Sequence, residues 1–148
     1  MKRIWLVVLA VALLVSPVFA AQTTTEIIDT TLTNSVPAKE ADSYIGDADK
    51  VSFFVTLNSS STTTGVTANV TVAASIDGIH WQDISWFDVA GGATPQTSET
   101  LTSSGTYVMW VDKALTAPYI RVRVNMVNSA VYGVGDTGGI SVTVVEKK

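Results

Sequence analysis

Gly65-Val66-Thr67-Ala68-Asn69-Val70-Thr71-Val72-Ala73-Ala74-Ser75 sets Val66, Ala68, Val70, Val72 and Ala74 on one side and Thr67, Asn69, Thr71 and Ser75 on the other. Successive side chains of a strand point to opposite faces, so this period of two describes a ribbon with one buried and one wetted side. The same period returns in residues 119–127, where Ile120, Val122, Val124 and Met126 alternate with Arg121, Arg123 and Asn125, and where Ile140, Val142 and Val144 alternate with Ser141 and Thr143. In residues 51–58, Val51, Phe53, Val55 and Leu57 share a side with Phe54 opposite them, which places that strand centrally in a sheet. No window repeats apolar residues at helical spacing. The chain reads as an all-β, antiparallel two-sheet β-sandwich or jelly roll of about eight strands.

The punctuation agrees with this reading. Residues 58–64, 90–96 and 128–139 are rich in Gly, Ser, Thr or Pro and read as loops, and Ser103-Ser104-Gly105 reads as a turn before the strand at 106–111. Residues 22–33 are Thr-rich and read as an edge strand or a flexible lead-in extending to about residue 45. Asp77-Gly78, between two β runs, marks a hairpin. A two-residue loop would set Val70 against Ser85 and Val72 against Asp83. A three-residue loop, Ile76-Asp77-Gly78, sets Val70 against Ile84 and Ala68 against Trp86, which matches apolar with apolar. That register predicts Ile84 and Trp86 inward, Trp81 and Asp83 outward, and His80 inward near the rim.

Composition narrows the function. The chain has 148 residues, no Cys, one His, and 9 Lys and Arg against 13 Asp and Glu. One domain fits that length. The absence of Cys excludes disulfides, thiol catalysis and cysteine-bound metals. An acidic chain lacks the basic face that nucleic acid demands, and 47% apolar residues exclude general disorder. Residues 1–20 read as a secretory signal peptide: Lys2 and Arg3, an apolar run from Ile4 to Val15, a break at Ser16-Pro17, and small residues at Val18 and Ala20. Residues 21–148 then form a single secreted domain, extracellular or periplasmic, with no membrane contact once the leader is cleaved.

Ser75-Ile76-Asp77-Gly78-Ile79-His80-Trp81, followed by Ala117-Pro118-Tyr119-Ile120-Arg121-Val122 and a closing strand at 140–145, resembles the discoidin-type galactose-binding-like domains over the second half of the chain. The resemblance implies a jelly roll that binds carbohydrate, and a structural calcium as a possible accompaniment. Asp42, Asp47 and Asp49, before the first strong strand, are the oxygen ligands available for such an ion. Solvated acids are the alternative account, because their spacing matches no calcium-loop signature. No other cofactor is expected.

The aromatic residues of the mature domain include Trp81, Trp86, Trp110, Tyr107 and Tyr119. Sugar rings pack on aromatic faces while planar polar groups fix their hydroxyls. Outward Trp81 beside Asp83 has that form, with Tyr119 nearby in the resemblance, and each of these rings could equally serve the core. Arg121 and Arg123, on the polar side of one strand, are candidates for a carboxylate or sulfate, or are plain surface. A catalytic triad has no nucleophile turn and only His80 to offer. A glycosidase pair would have to come from Asp83 and Asp88. The chain is therefore expected to be no enzyme but a non-catalytic secreted module binding carbohydrate or another cell-surface ligand through Trp81, Asp83, Tyr119, Arg121 and Arg123. The alternative is a structural or assembly subunit of a filament, surface layer or coat, self-associating by β-strand addition through residues 22–33.

Overall fold

A computed structural model describes residues 22–33, 35–46, 48, 50–60, 66–88, 94–111, 117–127 and 136–147. The leader expected over residues 1–20, Asp47 and Asp49 lie outside the described residues. The strands are β1 (Gln22–Leu32), β2 (Ala38–Tyr44), β3 (Lys50–Ser60), β4 (Ala68–Ser75), β5 (Gln82–Asp83), β6 (Phe87–Asp88), β7 (Glu99–Leu101), β8 (Gly105–Val111), β9 (Tyr119–Met126) and β10 (Thr137–Lys147). One sheet runs β1-β10-β3-β8-β6; the other runs β2-β9-β4-β5, with β7 also paired to β4. All pairings are antiparallel. The chain is all-β and its sheets form a two-layer sandwich, with no helix among the described residues.

The alternating sides become the inner faces. Phe53, Val55 and Leu57 of β3 and Ile140, Val142 and Val144 of β10 are buried in one sheet. Val70 and Val72 of β4 and Ile120, Val122 and Val124 of β9 are buried in the other. Removing a large apolar side chain from water contributes about 1.5–3 kcal/mol, so strands of this pattern must stack in pairs. The two-sided strand is indeed central: β3 lies between β10 and β8, with Phe54 on the outer side and partly exposed. β1 is an edge strand paired to β10 from Gln22↔Lys147 to Leu32↔Gly138, with a bulge between Glu26 and Ile28.

Three expectations need correction. Residues 58–60 continue β3 and residues 137–139 begin β10, paired as Gly139↔Asn58 and Gly138↔Ser59; neither belongs to a loop. At 138 the chains approach closely: a Cβ there would stand 3.0 Å from the Val66 side chain, which would have to shift by a few tenths of an ångström to admit it. Second, the stretch to about residue 45, expected as one edge strand or a flexible lead-in, holds two strands, β1 and β2 (Ala38–Tyr44). Third, the hairpin adopts neither register weighed above: Ala74 pairs with Gln82 and Ala73 with Asp83, leaving Ser75 to Trp81 as the turn. A slip of two residues keeps the paired strand residues on their expected faces. Trp86 is accordingly fully buried, Ile84 packs against the core, and Asp83 is exposed.

Trp86 does not pair with Ala68, which is taken by Leu101 of β7. Its backbone bridges Gln96, and the next residue, Phe87, joins β8 in the other sheet opposite Trp110. Residues 82–88 therefore cross from one sheet to the other, with the indole plugging the crossing. Trp86→Ala should cost about 3–5 kcal/mol in denaturant unfolding. Ile79→Ala, at a side chain 74% exposed on the turn, should stay within about 0.5 kcal/mol.

Candidate functional site

The turn that fixes this hairpin is held by two side chains. Ser75 Oγ accepts the N–H of Gly78 at 2.9 Å and donates to Asp77 Oδ1 at 2.9 Å. Asp77 Oδ1 accepts the N–H groups of Ile79 and His80, each at 2.8 Å, and Asp77 Oδ2 meets His80 Nδ1 at 2.7 Å. Gly78 takes φ +73°, a conformation that favours glycine, and its open side faces the Tyr119 ring. His80 is drawn to the solvent side by Asp77, its side chain 87% exposed, so the expected inward position is wrong. The His80 ring, the His80 and Ile79 N–H groups and the Ser75 hydroxyl hold the Asp77 carboxyl far below the usual carboxylate range.

Beyond the turn, the outer face of β2-β9-β4-β5 is built in rows. Tyr44, Tyr119 and Ser75 form one row, Asp42, Arg121, Ala73 and Asp83 the next, and Glu40, Arg123 and Thr71 the third. Arg121 grips Asp42 as a fork, Nε to Oδ1 at 2.6 Å and Nη2 to Oδ2 at 2.8 Å, and reaches Glu40 at 3.4 Å. Arg123 contacts Glu40 at 3.2 Å and Asp83 at 3.2 Å. The Arg121 guanidinium also stands 4.1 Å from the centre of the Trp81 ring, a cation–π contact. The Tyr44 and Tyr119 rings meet edge to face at 5.1 Å, and Tyr44 is 65% exposed.

All five residues expected to bind a ligand, Trp81, Asp83, Tyr119, Arg121 and Arg123, thus share this face. The two arginines do not wait there for an external carboxylate, since Asp42, Glu40 and Asp83 already engage them. Asp42, considered for calcium, has both oxygens in the Arg121 fork, and that hydrogen bonding lowers its pKa. Asp83 and Asp88 sit in different sheets and form no facing pair. Of the remaining aromatic residues, Trp86 serves the core and Trp110 stacks on Phe87 at 4.5 Å in the other sheet. Tyr107 donates its hydroxyl to the Ser103 carbonyl at 2.8 Å. The sequence reading missed Glu40 and Tyr44. Their signal was present: Glu40-x-Asp42-x-Tyr44 is the reverse-order complement of Tyr119-x-Arg121-x-Arg123, as an antiparallel pair requires.

No family model matches the chain, and no curated protein does. Among solved structures it is similar to the CBM22-1–GH10 modules of Clostridium thermocellum endo-1,4-beta-D-xylanase 10B complexed with xylohexaose, at 8% identity and a TM-score of 0.44, over 86% of this chain and only 26% of that one. It is similar to a structure described as CBM4 structure and function, at 9% identity and a TM-score of 0.39, over 88% of this chain and 74% of that one. It is also similar to the Yersinia pseudotuberculosis-derived mitogen, at 9% identity and a TM-score of 0.32, over 88% and 86%. Similarity this distant carries no argument about function, which must rest on the side chains themselves.

Carboxyl pKa values lowered by folding give stability that is complete above the unfolded value and lost as pH falls through it toward the folded one. Asp77 and Asp42 are both lowered. The thermal midpoint should therefore drop as pH is taken from about 5 to about 2, and Asp77→Asn should flatten that drop in melts followed by circular dichroism.

Proposed function

We propose that the protein is a non-catalytic carbohydrate-binding β-sandwich, exported by its leader, that takes sugar rings on the outer face of β2-β9-β4-β5. The observation that carries this is the Trp81 ring held by Arg121, itself locked by the Asp42 fork, beside the exposed Tyr44 and its partner Tyr119. Arg121 is only 19% exposed and occupies one side of the indole, so the ring's other side is the one a ligand reaches. A fixed aromatic plane suits the apolar face of a pyranose, because little side-chain freedom is lost on binding. Asp83, 62% exposed, and Arg123 stand beside it as acceptor and donor for ring hydroxyls. A discoidin-type identity and a structural calcium belong to the same proposal and rest on the sequence resemblance alone.

A second reading, assembly by strand addition, has its own observation. β1 is eleven residues long, contains no Pro or Lys, and among the described residues pairs only with β10. Such an edge can accept a neighbour's strand. Donation of β1 is harder, since it would first peel away from β10. Sedimentation of a strictly monomeric protein at high concentration would end this reading.

Trp81→Ala should abolish binding across a panel of neutral polysaccharides in affinity electrophoresis, with the melting curve preserved. Tyr44→Ala should weaken it by about tenfold, the loss of roughly one stacking contact. Failure of the unaltered protein to bind any glycan or cell-wall preparation would overturn the proposal.

A further inference from the structure

The opposite face of the sandwich carries a different arrangement. On the outer side of β1-β10-β3-β8-β6, Gln22, Lys147 and Lys50 form one row, and Thr24, Val145, Ser52, Trp110 and Phe87 the next. Glu26, Thr143, Phe54 and Val108 form the third. Ser52 is the short side chain in the middle of this surface, and two clefts meet over it. One, of about 260 Å³, is lined by Lys50, Ser52, Val108, Trp110 and Val111. The other, of about 220 Å³, is lined by Gln22, Lys50, Ser52, Phe54, Val145 and Lys147.

Lys50 and Lys147 are direct cross-strand partners, and both are exposed. Like charges so placed repel and destabilise the pair. Among the described residues no carboxylate lies within ion-pair distance of either ammonium. Glu26, on the edge strand, stands two rows away from them. This contrasts with the other face, where each arginine is met by an acid. On a chain of formal charge −4, two neighbouring cations that no described acid pairs, at the mouth of an aromatic-lined cleft, are a feature that an anion would complete.

We propose that this face is a second binding site, independent of the Trp81 face, for an acidic polysaccharide: Lys50 and Lys147 take its carboxylates, and Phe54 and Trp110 carry its sugar rings. Charge complementarity selects an anion. The sheet selects a sugar over an acidic peptide, because Lys50, Ser52, Phe54 and Lys147 sit on β3 and β10, which are paired on both sides, and Trp110 sits where β8 is paired by both β3 and β6, so the main chain beneath the site is taken up within the sheet. A sugar ring needs only what the surface offers, apolar patches for its C–H face and the Ser52 hydroxyl and Gln22 amide for its hydroxyls.

The test is titration of the protein with polygalacturonate, dextran and poly-L-glutamate at low and high salt. Polygalacturonate should bind, more weakly as salt screens the lysines, and more tightly than either other polymer. The double variant Lys50→Gln, Lys147→Gln should lose about tenfold or more in affinity, the size expected for two charge-assisted contacts. Trp81→Ala should bind polygalacturonate as the unaltered protein does, which separates this site from the other. Phe54→Ala, at a partly exposed position, should weaken polygalacturonate and leave poly-L-glutamate unchanged. No binding of polygalacturonate, binding insensitive to the lysine substitutions, equal or tighter binding of poly-L-glutamate, or parallel loss in Trp81→Ala would each overturn the proposal.

Discussion

Ser75 and Asp77 together decide where the second half of this molecule goes. Their oxygens accept the free N–H groups of a seven-residue turn, and the turn delivers Gln82 opposite Ala74. That single register sets three things at once. It puts Trp81 over Arg121 and Asp83 within reach of Arg123, and it sends Trp86 to the crossing between the sheets. A turn shorter by two residues would keep the faces and lose each of these contacts.

The two outer faces spend their charges in opposite ways. On the β2-β9-β4-β5 side, Asp42, Arg121, Glu40, Arg123 and Asp83 form an alternating chain of contacts. Exposed ion pairs taken singly contribute little to stability, but here the bidentate Asp42 fork fixes a guanidinium that in turn fixes an aromatic ring. The lattice positions more than it stabilises. On the other side, Lys147 and Lys50 are direct cross-strand partners with no carboxylate in ion-pair distance among the described residues. Their pairing follows from the register that aligns Val142 with Val55 and Val144 with Phe53 in the core, so the buried residues dictate the cationic row outside.

The core was legible because apolar residues recur at every second position of β3, β4, β9 and β10, and burial enforces that period. The edges were less so. β2 carries Ala41 and Ser43 on its inner side, too small to announce a strand, while Glu40 and Asp42 make it look like a loop. What makes it a strand is its neighbour β9, which offers Arg123 and Arg121 in complementary order. The hairpin was read correctly for the faces of Asp83, Ile84 and Trp86 and wrongly for His80 and for register, because Asp-Gly suggested a tight loop. The side-chain caps of Ser75 and Asp77, which lengthen it, act through backbone N–H groups that no pattern of hydrophobicity reveals. The candidate binding residues shared a face for the same reason of parity. The acids that already occupy the arginines could be found only once β2 was a strand.

The account is tested most directly by the proton chemical shifts of the Arg121 side chain, measured by NMR with and without Asp77→Ala. If the capped turn sets the register, the Arg121 Hδ and Hε signals should be displaced upfield by the Trp81 ring current in the unaltered protein. They should return toward ordinary values in the variant while the core methyl signals of Val122 and Val142 persist. Arg121 signals at ordinary positions in the unaltered protein, or an upfield displacement that survives loss of the Asp77 carboxylate, would contradict it.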